Sequence, residues 1–408
     1  MVVRYVPVTI PAPAHSATPP GAAVADDADG RPGFIVDGNR LILLQGGQER
    51  LEALIALIDG AERSLRLLYY IYSDDASGRK VRNALAEALA RGVAVSMVVD
   101  GFGSRLPHDY FAGLERAGAD MCHFLPRYGR RYLLRNHQKL ALADERRALI
   151  GGFNVEDDYF DDRDGWRDLG LCLDGPAASH LVGYFDALIG WTHQPKARLR
   201  DLRRLLARWS EPRDKPVGWL LGGPTRGLSP WALAIRDELK RACRLDVIAA
   251  YFAPNPKMLR AVERVTARGG RARVMTAAKS DNDATIAAAR HTYARLLRRG
   301  VRMFEYQPTR LHTKLFVIDD VVHIGSANFD VRSLYLNLEI MLRIEDRAFA
   351  DHMRGYVEGE LARADEITPA EHDRARWIDR LRWSLAYFLV AVVDGNLTRR
   401  LNFGIDGR

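Results

Sequence analysis

The sequence predicts an α/β protein made of two homologous lobes, each a mixed β-sheet flanked by helices, packed as a pseudo-twofold pair around one shared site. Three observations predict it. A stretch in the first half, Asn136 to Asn154 (NHQKLALADERRALIGGFN), has a counterpart in the second, Leu311 to Asn328 (LHTKLFVIDDVVHIGSAN), each with a His, a Lys two residues on, an apolar run, an acid and a Gly-containing corner ending in Asn. The offset between copies is steady, 175 residues for the His pair and 174 for the Asn pair. Around each copy, short β-like apolar runs alternate with segments of helical periodicity, the pattern of a layered domain with a buried sheet.

The elements follow in order. Residues 1–33, Ala/Pro-rich and then acidic, read as a disordered tail, lacking the basic and apolar regions of a signal peptide. Lobe 1 spans 34–210. Leu51 to Ile58 is apolar at helical spacing, Leu65 to Tyr72 is strand-like, Val81 to Ala90 is a second helix and Val93 to Val99 another buried strand. Asp74–Gly78 and Asp100–Ser104 are the turns at strand ends, where binding groups collect. The segment RYGRRYLLR sets Arg130, Arg131 and Arg135 just before His137, as either a solvated loop or a basic mouth whose guanidinium forks suit phosphate oxygens. GWRDLGLCLDG, Gly165 to Gly175, reads as one more strand carrying Asp168.

From Pro195 to Trp209, Leu199, Leu202, Leu205, Leu206 and Trp209 share a helical face surrounded by Arg. Such a helix either lies on an anionic membrane surface or packs its apolar face on the core. Pro212 and Pro216 then mark the boundary to lobe 2, 211–366, which repeats the alternation. Trp231–Arg241, Pro256–Arg268 and Ala284–Arg299 read as helices, and Leu245–Tyr251, Ala272–Thr276 and Val301–Tyr306 as strands. Residues 367–408 mix Trp377, Leu381, Trp383, Tyr387 and Phe388 with Arg, and the uncharged run Trp383–Val393 is too short to span a bilayer. This segment is expected to associate with a membrane as an interfacial or re-entrant anchor, the alternative being a helix buried on lobe 2.

Composition narrows the partners. The chain has 408 residues, 47% hydrophobic and 27% charged, enough for two full cores. A net charge of +8 points to an anionic partner: nucleic acid, an anionic membrane surface or a phosphorylated substrate. Cys122, Cys172 and Cys243 are too few and too scattered for a disulfide framework or a zinc site, so a reducing compartment is expected. With only eight Lys beside 52 Arg, about 0.03 accidental His-x-Lys-x4-acid matches are expected, and the chain has two.

The spacing carries chemistry. Side chains alternate along a strand, so His137 and Lys139 share a face, as do His312 and Lys314, while Leu140, Leu142, Leu315 and Val317 fill the other. Asp144 and Asp319 fall at odd spacing from their His and are expected to hold the turn without entering the chemistry. Two imidazoles, two ammonium groups and the amides of Asn154 and Asn328 converging on one point suit an anionic tetrahedral phosphorus. One His can attack while the other serves as acid and base. The Lys pair supplies the positive charge, so no metal and no cofactor is expected. Each imidazole needs an orienting acid, and Asp168 lies 31 residues after His137 while Glu339 lies 27 after His312. That spacing suggests that each acid serves the His of its own lobe.

HQKLALAD with GGFN, and HTKLFVID with GSANFDVRS and LNLE, resemble the phospholipase D superfamily, and stretches such as YYIYSDDASG, AYFAP and FEYQPTRLHTK resemble its bacterial cardiolipin synthase branch. The resemblance covers about Gly33 to Glu366. It implies a phosphatidyltransferase that passes a phosphatidyl group from phosphatidylglycerol to a second phospholipid alcohol through a phosphohistidine, with His137 as nucleophile and His312 as acid and base. Its orienting acids map onto Asp168 and Glu339. The partners it implies are anionic phospholipid and a membrane surface, not nucleic acid, and the place a peripheral one on the cytoplasmic face of a bacterial inner membrane. Many members of the branch begin with two membrane-spanning helices; here attachment is expected from the basic surface or the C-terminal segment. The same residues could hydrolyse a phospholipid or nucleic acid if water replaced the lipid alcohol.

Overall fold

The computed structural model describes residues 30–124, 134–194, 197–211, 214–225 and 227–393. The first lobe runs β1 (Gly33–Val36), β2 (Asn39–Leu44), α1 (Gly47–Asp59), β3 (Ser64–Tyr69), α2 (Ala76–Ala90), β4 (Ala94–Asp100), α3 (Ala112–Arg116), β5 (Asp120–Phe124), β6 (Leu140–Ala143), β7 (Arg147–Gly151), β8 (Trp166–Arg167), β9 (Gly170–Asp174), α4 (Pro176–His193) and α5 (Leu199–Trp209). The second runs β10 (Val217–Gly222), α6 (Pro230–Glu238), β11 (Arg244–Ala249), β12 (Phe252–Ala253), α7 (Pro256–Ala267), β13 (Arg271–Ala277), α8 (Asp283–Leu297), β14 (Arg302–Tyr306), β15 (Arg310–Leu311), β16 (Lys314–Ile318), β17 (Val321–Gly325), β18 (Phe329–Asp330), α9 (Val331–Tyr335), β19 (Glu339–Glu345), α10 (Arg347–Leu361) and β20 (Ala364–Ile367). Helices α11 (Pro369–Asp373) and α12 (Trp377–Tyr387) follow.

The strands form two eight-stranded mixed sheets, ordered β1-β2-β9-β7-β6-β3-β4-β5 and β10-β19-β17-β16-β11-β13-β14-β20. In each, the motif strand (β6 or β16) is central and forms an antiparallel hairpin with the next strand (β7 or β17). The sequence-derived alternation is present, with the β1–β2 hairpin as an element it did not show. GWRDLGLCLDG is two strands, because the chain breaks out of register at Asp168 and Leu169.

Layering explains the burial. One apolar cluster joins the inner faces of both sheets through helices α4, α5 and α10, contributing Leu181, Tyr184, Phe185 and Leu188 from α4 and Phe349, Met353 and Val357 from α10. These lie at three- and four-residue steps, one face of a helix, and fully burying each stabilises the fold by about 1.5–3 kcal/mol. A second cluster fills the space under α1 and α2, a third that under α6, α7 and α8. Motif strands are therefore buried on both sides: Leu140, Leu142, Leu315 and Val317 face the shared core, while Ala141, Ala143, Phe316 and Ile318 face the outer ones. The expectation of one chemical face along the strand is corrected accordingly, since the chemistry sits only at its N-terminal end. Helix α5 buries Leu199, Leu202 and Leu206 in the shared core, so its apolar face is taken and the membrane-surface reading of this helix falls.

Candidate active site

Two short cross-lobe pairings build the site. β15 pairs in parallel with β8, setting Arg310 against Trp166 and Leu311 against Arg167. Asn136 forms the equivalent parallel bridge to Leu338. In each pairing the next residue on one chain is a motif His and the next on the other is an acid. The Arg167 carbonyl accepts the amides of His312 (2.8 Å) and Thr313 (3.1 Å), and the Leu338 carbonyl that of His137 (2.9 Å). Backbone register thus delivers each imidazole to a carboxylate of the other lobe.

The side chains complete the crossing. His312 Nδ1 lies 2.6 Å from Oδ2 of Asp168, and His137 Nδ1 lies 3.1 Å from Oε2 of Glu339. This corrects the expectation that each acid aims the His of its own lobe: spacing along the chain could not reveal how the lobes face each other. Both acids are fully buried. With Nδ1–H donated to a carboxylate, Nε2 of each ring is the atom left for chemistry.

Lys139 and Lys314, each 1% exposed, turn their ammonium groups back onto the carbonyl of their own motif His. Lys139 also lies 5.2 Å from the centroid of Tyr70, whose ring stands 5.0 Å from that of His137. Burial holds the Lys139 amine well below its ordinary value and brings Lys314 down to about 8. Burial and then Lys314 push the His312 imidazole down to about 3; burial also lowers His137, against the pull of Glu339. Burial alone would raise Asp168, but the charges of His312, Lys314 and Arg50 outweigh it and hold the carboxyl low. Lys139 acts on His312 and Lys314 on His137, so both motifs share one electrostatic environment. The Nδ1–Oδ2 contact ties the His312 imidazole to the Asp168 carboxyl.

The two halves differ. Glu339 is gripped by the hydroxyls of Ser326 and Ser333 as well as by His137. At the position of Ser326 the first lobe has Gly152, where a Cβ would come within 2.6 Å of Asp168 Oδ1. At the position of Ser333 it has Tyr159, whose hydroxyl stands 3.5 Å from His312 Nε2 while its ring stacks on Trp166. Tyr159 and the two Ser were not among the sequence candidates, although GSANFDVRS contains both Ser. Asp100, in a turn already picked out, accepts the amides of Phe102, Gly103 and Asn136 and so anchors the residue before His137.

Asn154 and Asn328 lie buried at the corners after β7 and β17. Asn154 Oδ1 accepts the Ile71 amide, and Asn328 Oδ1 is buried with no hydrogen-bond partner among the described residues. Asp144 and Asp319 sit in the hairpin turns at the far end of the motif strands, both in the left-handed region (φ 52° and 47°). Asp144 accepts the amides of Glu62, Arg63 and Ser64, and Asp319 those of Cys243 and Arg244. Arg135 is buried with its guanidinium 3.9 Å from the Phe102 ring centroid. Arg130 and Arg131 lie outside the described residues.

Comparison with known proteins shows the family. The sequence profile described as "Cardiolipin synthase, PLD-like domain" matches residues 54–189 and 235–360, one match per lobe. Cardiolipin synthase A of Pseudomonas entomophila (strain L48) is 30% identical over 366 residues, covering 87% of this chain and 75% of that protein. The enzyme of that name from Pseudomonas aeruginosa (strain LESB58) is 30% identical over 359 residues, 85% of this chain and 72% of the other. Among solved structures, phosphatidylserine synthase of Haemophilus influenzae Rd KW20 superimposes with a TM-score of 0.69 at 13% identity, covering 88% of this chain and 95% of that one, a likeness of fold. The repeated profile match, the level of identity and the paired motifs place the chain in the phospholipase D superfamily: it belongs to the cardiolipin synthase, phospholipase D-like domain family and is an enzyme of its phosphatidyltransferase class.

Proposed function

We propose that the chain transfers a phosphatidyl group from phosphatidylglycerol to the free glycerol hydroxyl of a second phosphatidylglycerol, forming cardiolipin and releasing glycerol. The observation that carries this reading is the pair of crossed His–acid contacts, which leave two Nε2 atoms and two buried Lys in one site. Nε2 of one His attacks phosphorus as the P–O bond to glycerol breaks, and the other His gives its proton to the departing oxygen. That second His then takes the proton of the incoming hydroxyl, whose oxygen displaces the first imidazole and restores it. Lys139, Lys314, Asn154 and Asn328 hold the non-bridging oxygens as charge builds on them. Asp168 and Glu339 aim and charge-balance the imidazoles, while Asp144 and Asp319 brace the turns. Arg130, Arg131 and Arg135 attract the anionic lipid to the cleft.

Two assignments of the His roles are open to test. The resemblance to the superfamily, in which the first-motif His is commonly the nucleophile, implies His137 in that role. The reverse assignment has His312 attack, which needs an unprotonated imidazole, and burial and Lys314 favour that form of His312. The membrane served is that of a bacterial cell, from its cytoplasmic face. Purified protein incubated with phosphatidylglycerol vesicles should release cardiolipin and glycerol in equal amounts by mass analysis. Phosphatidic acid as sole lipid product would make it a hydrolase, and absence of any lipid product would overturn the reading.

A further inference from the structure

Large apolar side chains exposed on the surface are few among the described residues: Ile35, Phe102, Trp377, Ile378, Leu381, Leu385, Phe388 and Leu389. Six of these eight belong to α12 and the turn that continues it. At about 100° per residue they fall on one face of the helix, with Arg380 and Arg382 along its two flanks. The opposite face is occupied. Trp383, Ala386, Tyr387 and Val390 pack on Ala287 and Ala288 of α8, Tyr387 stacks on His291, and Trp383 stacks on His372. The alternative between a buried helix and a membrane anchor is thereby split by face.

We propose that the outward stripe of α12 is an interfacial foot that seats this enzyme on an anionic phospholipid bilayer, with Trp377, Leu381, Leu385 and Phe388 among the acyl chains and the Arg residues at the headgroups. Residues 373–393 contain four Arg against Asp373 and Asp379, a net positive charge suited to anionic lipid. No described helix is long and apolar enough to cross a membrane. The inward face also ties the foot to the site. Tyr387 donates its hydroxyl to the Pro254 carbonyl, next to β12, and β12 pairs with β18, which begins at the residue after Asn328. The foot is therefore joined through one hydrogen bond and one strand pair to the wall that holds a phosphate-binding amide.

The inference rests on the reading of the substrate as a bilayer lipid, yet its test needs no turnover. Full-length protein and the variant Trp377→Ser/Leu381→Ser/Leu385→Ser are sedimented with vesicles of phosphatidylglycerol and phosphatidylcholine. The three side chains face solvent, so both proteins should melt alike, and the variant should partition about a hundredfold or more less well. The emission of Trp377, taken as the difference from Trp377→Phe, should shift to the blue on adding vesicles and not before. Equal partitioning of wild type and variant overturns the proposal. So does a concentration-dependent dimer that the variant abolishes while vesicle binding persists, since the stripe would then be covered by a second copy. His137→Ala should bind vesicles as wild type does. Stripe-dependent binding by a wild type that makes no lipid product would defeat the proposed reaction and leave the foot standing.

Discussion

Nδ1 of His312 lies 2.6 Å from Oδ2 of Asp168, a residue of the other lobe, and the register of β15 against β8 puts it there. His137 and Glu339 repeat the arrangement in reverse. Neither lobe completes its motif His–acid pair by itself, so under the proposed mechanism lobe packing and catalysis are one requirement.

The crossing is visible by NMR. Asp168→Asn should move the imidazole signals of His312 and leave those of His137 nearly unchanged, with Glu339→Gln doing the opposite. Each should lower kcat by about 10²–10⁴, the usual worth of a well-aimed acid–base group. A response confined to the His of the same lobe would contradict the pairing.

Loss of a turn acid should affect stability and spare the chemistry. Asp144→Ala or Asp319→Ala leaves two or three backbone amides without their acceptor and puts Ala at positive φ, costing about 1–3 kcal/mol each by denaturant titration. The kcat of the folded enzyme should change by less than about threefold. Asn at either place keeps an acceptor and tolerates the backbone, and should recover most of the loss.

Alkaline pH should switch the enzyme off before any Arg could titrate. The Lys314 amine is lowered from 10.5 to about 8, so it is charged below pH 8 and loses its proton above, and kcat/KM, which reports the free enzyme, should fall through that range. A profile flat to pH 10 would remove Lys314 from phosphate binding. The lowered His312 acts on the fold: its contribution is full above the unfolded value near 6.5 and is lost as pH falls from there toward about 3, because the unfolded chain takes up a proton that the folded one refuses. Urea midpoints measured between pH 7 and 4 should fall less steeply in His312→Asn.

Tyr159→Phe keeps the ring on Trp166 and removes the hydroxyl facing His312 Nε2. We expect an unchanged melting temperature and a kcat lowered about tenfold, within the range for one hydrogen bond in a buried site. Unaltered kcat would reduce Tyr159 to a packing residue.

Much of this was legible in the chain itself. His137–Lys139 and His312–Lys314 stood out because Lys is scarce, and the layered alternation followed from periodicity that α1, α2, α7 and α8 obey closely. The missing parts depend on contacts between segments remote in sequence. Asp168 and Glu339 were found by their spacing but assigned to the wrong imidazoles, since lobe packing leaves no mark in a residue count. Gly152 and Ser326 occupy equivalent positions, yet only the fold shows that one makes room for a carboxylate and the other grips one. The apolar residues of α12 gave no sign of which would face α8.

The stereochemical course at phosphorus tests the two-imidazole mechanism most directly. Phosphatidylglycerol made chiral at phosphorus is converted by the enzyme and the configuration of the cardiolipin product determined. Two in-line displacements, onto His and then onto the acceptor hydroxyl, predict net retention. Inversion would mean that the acceptor attacks the lipid directly, and would contradict a phosphohistidine held between His137 and His312.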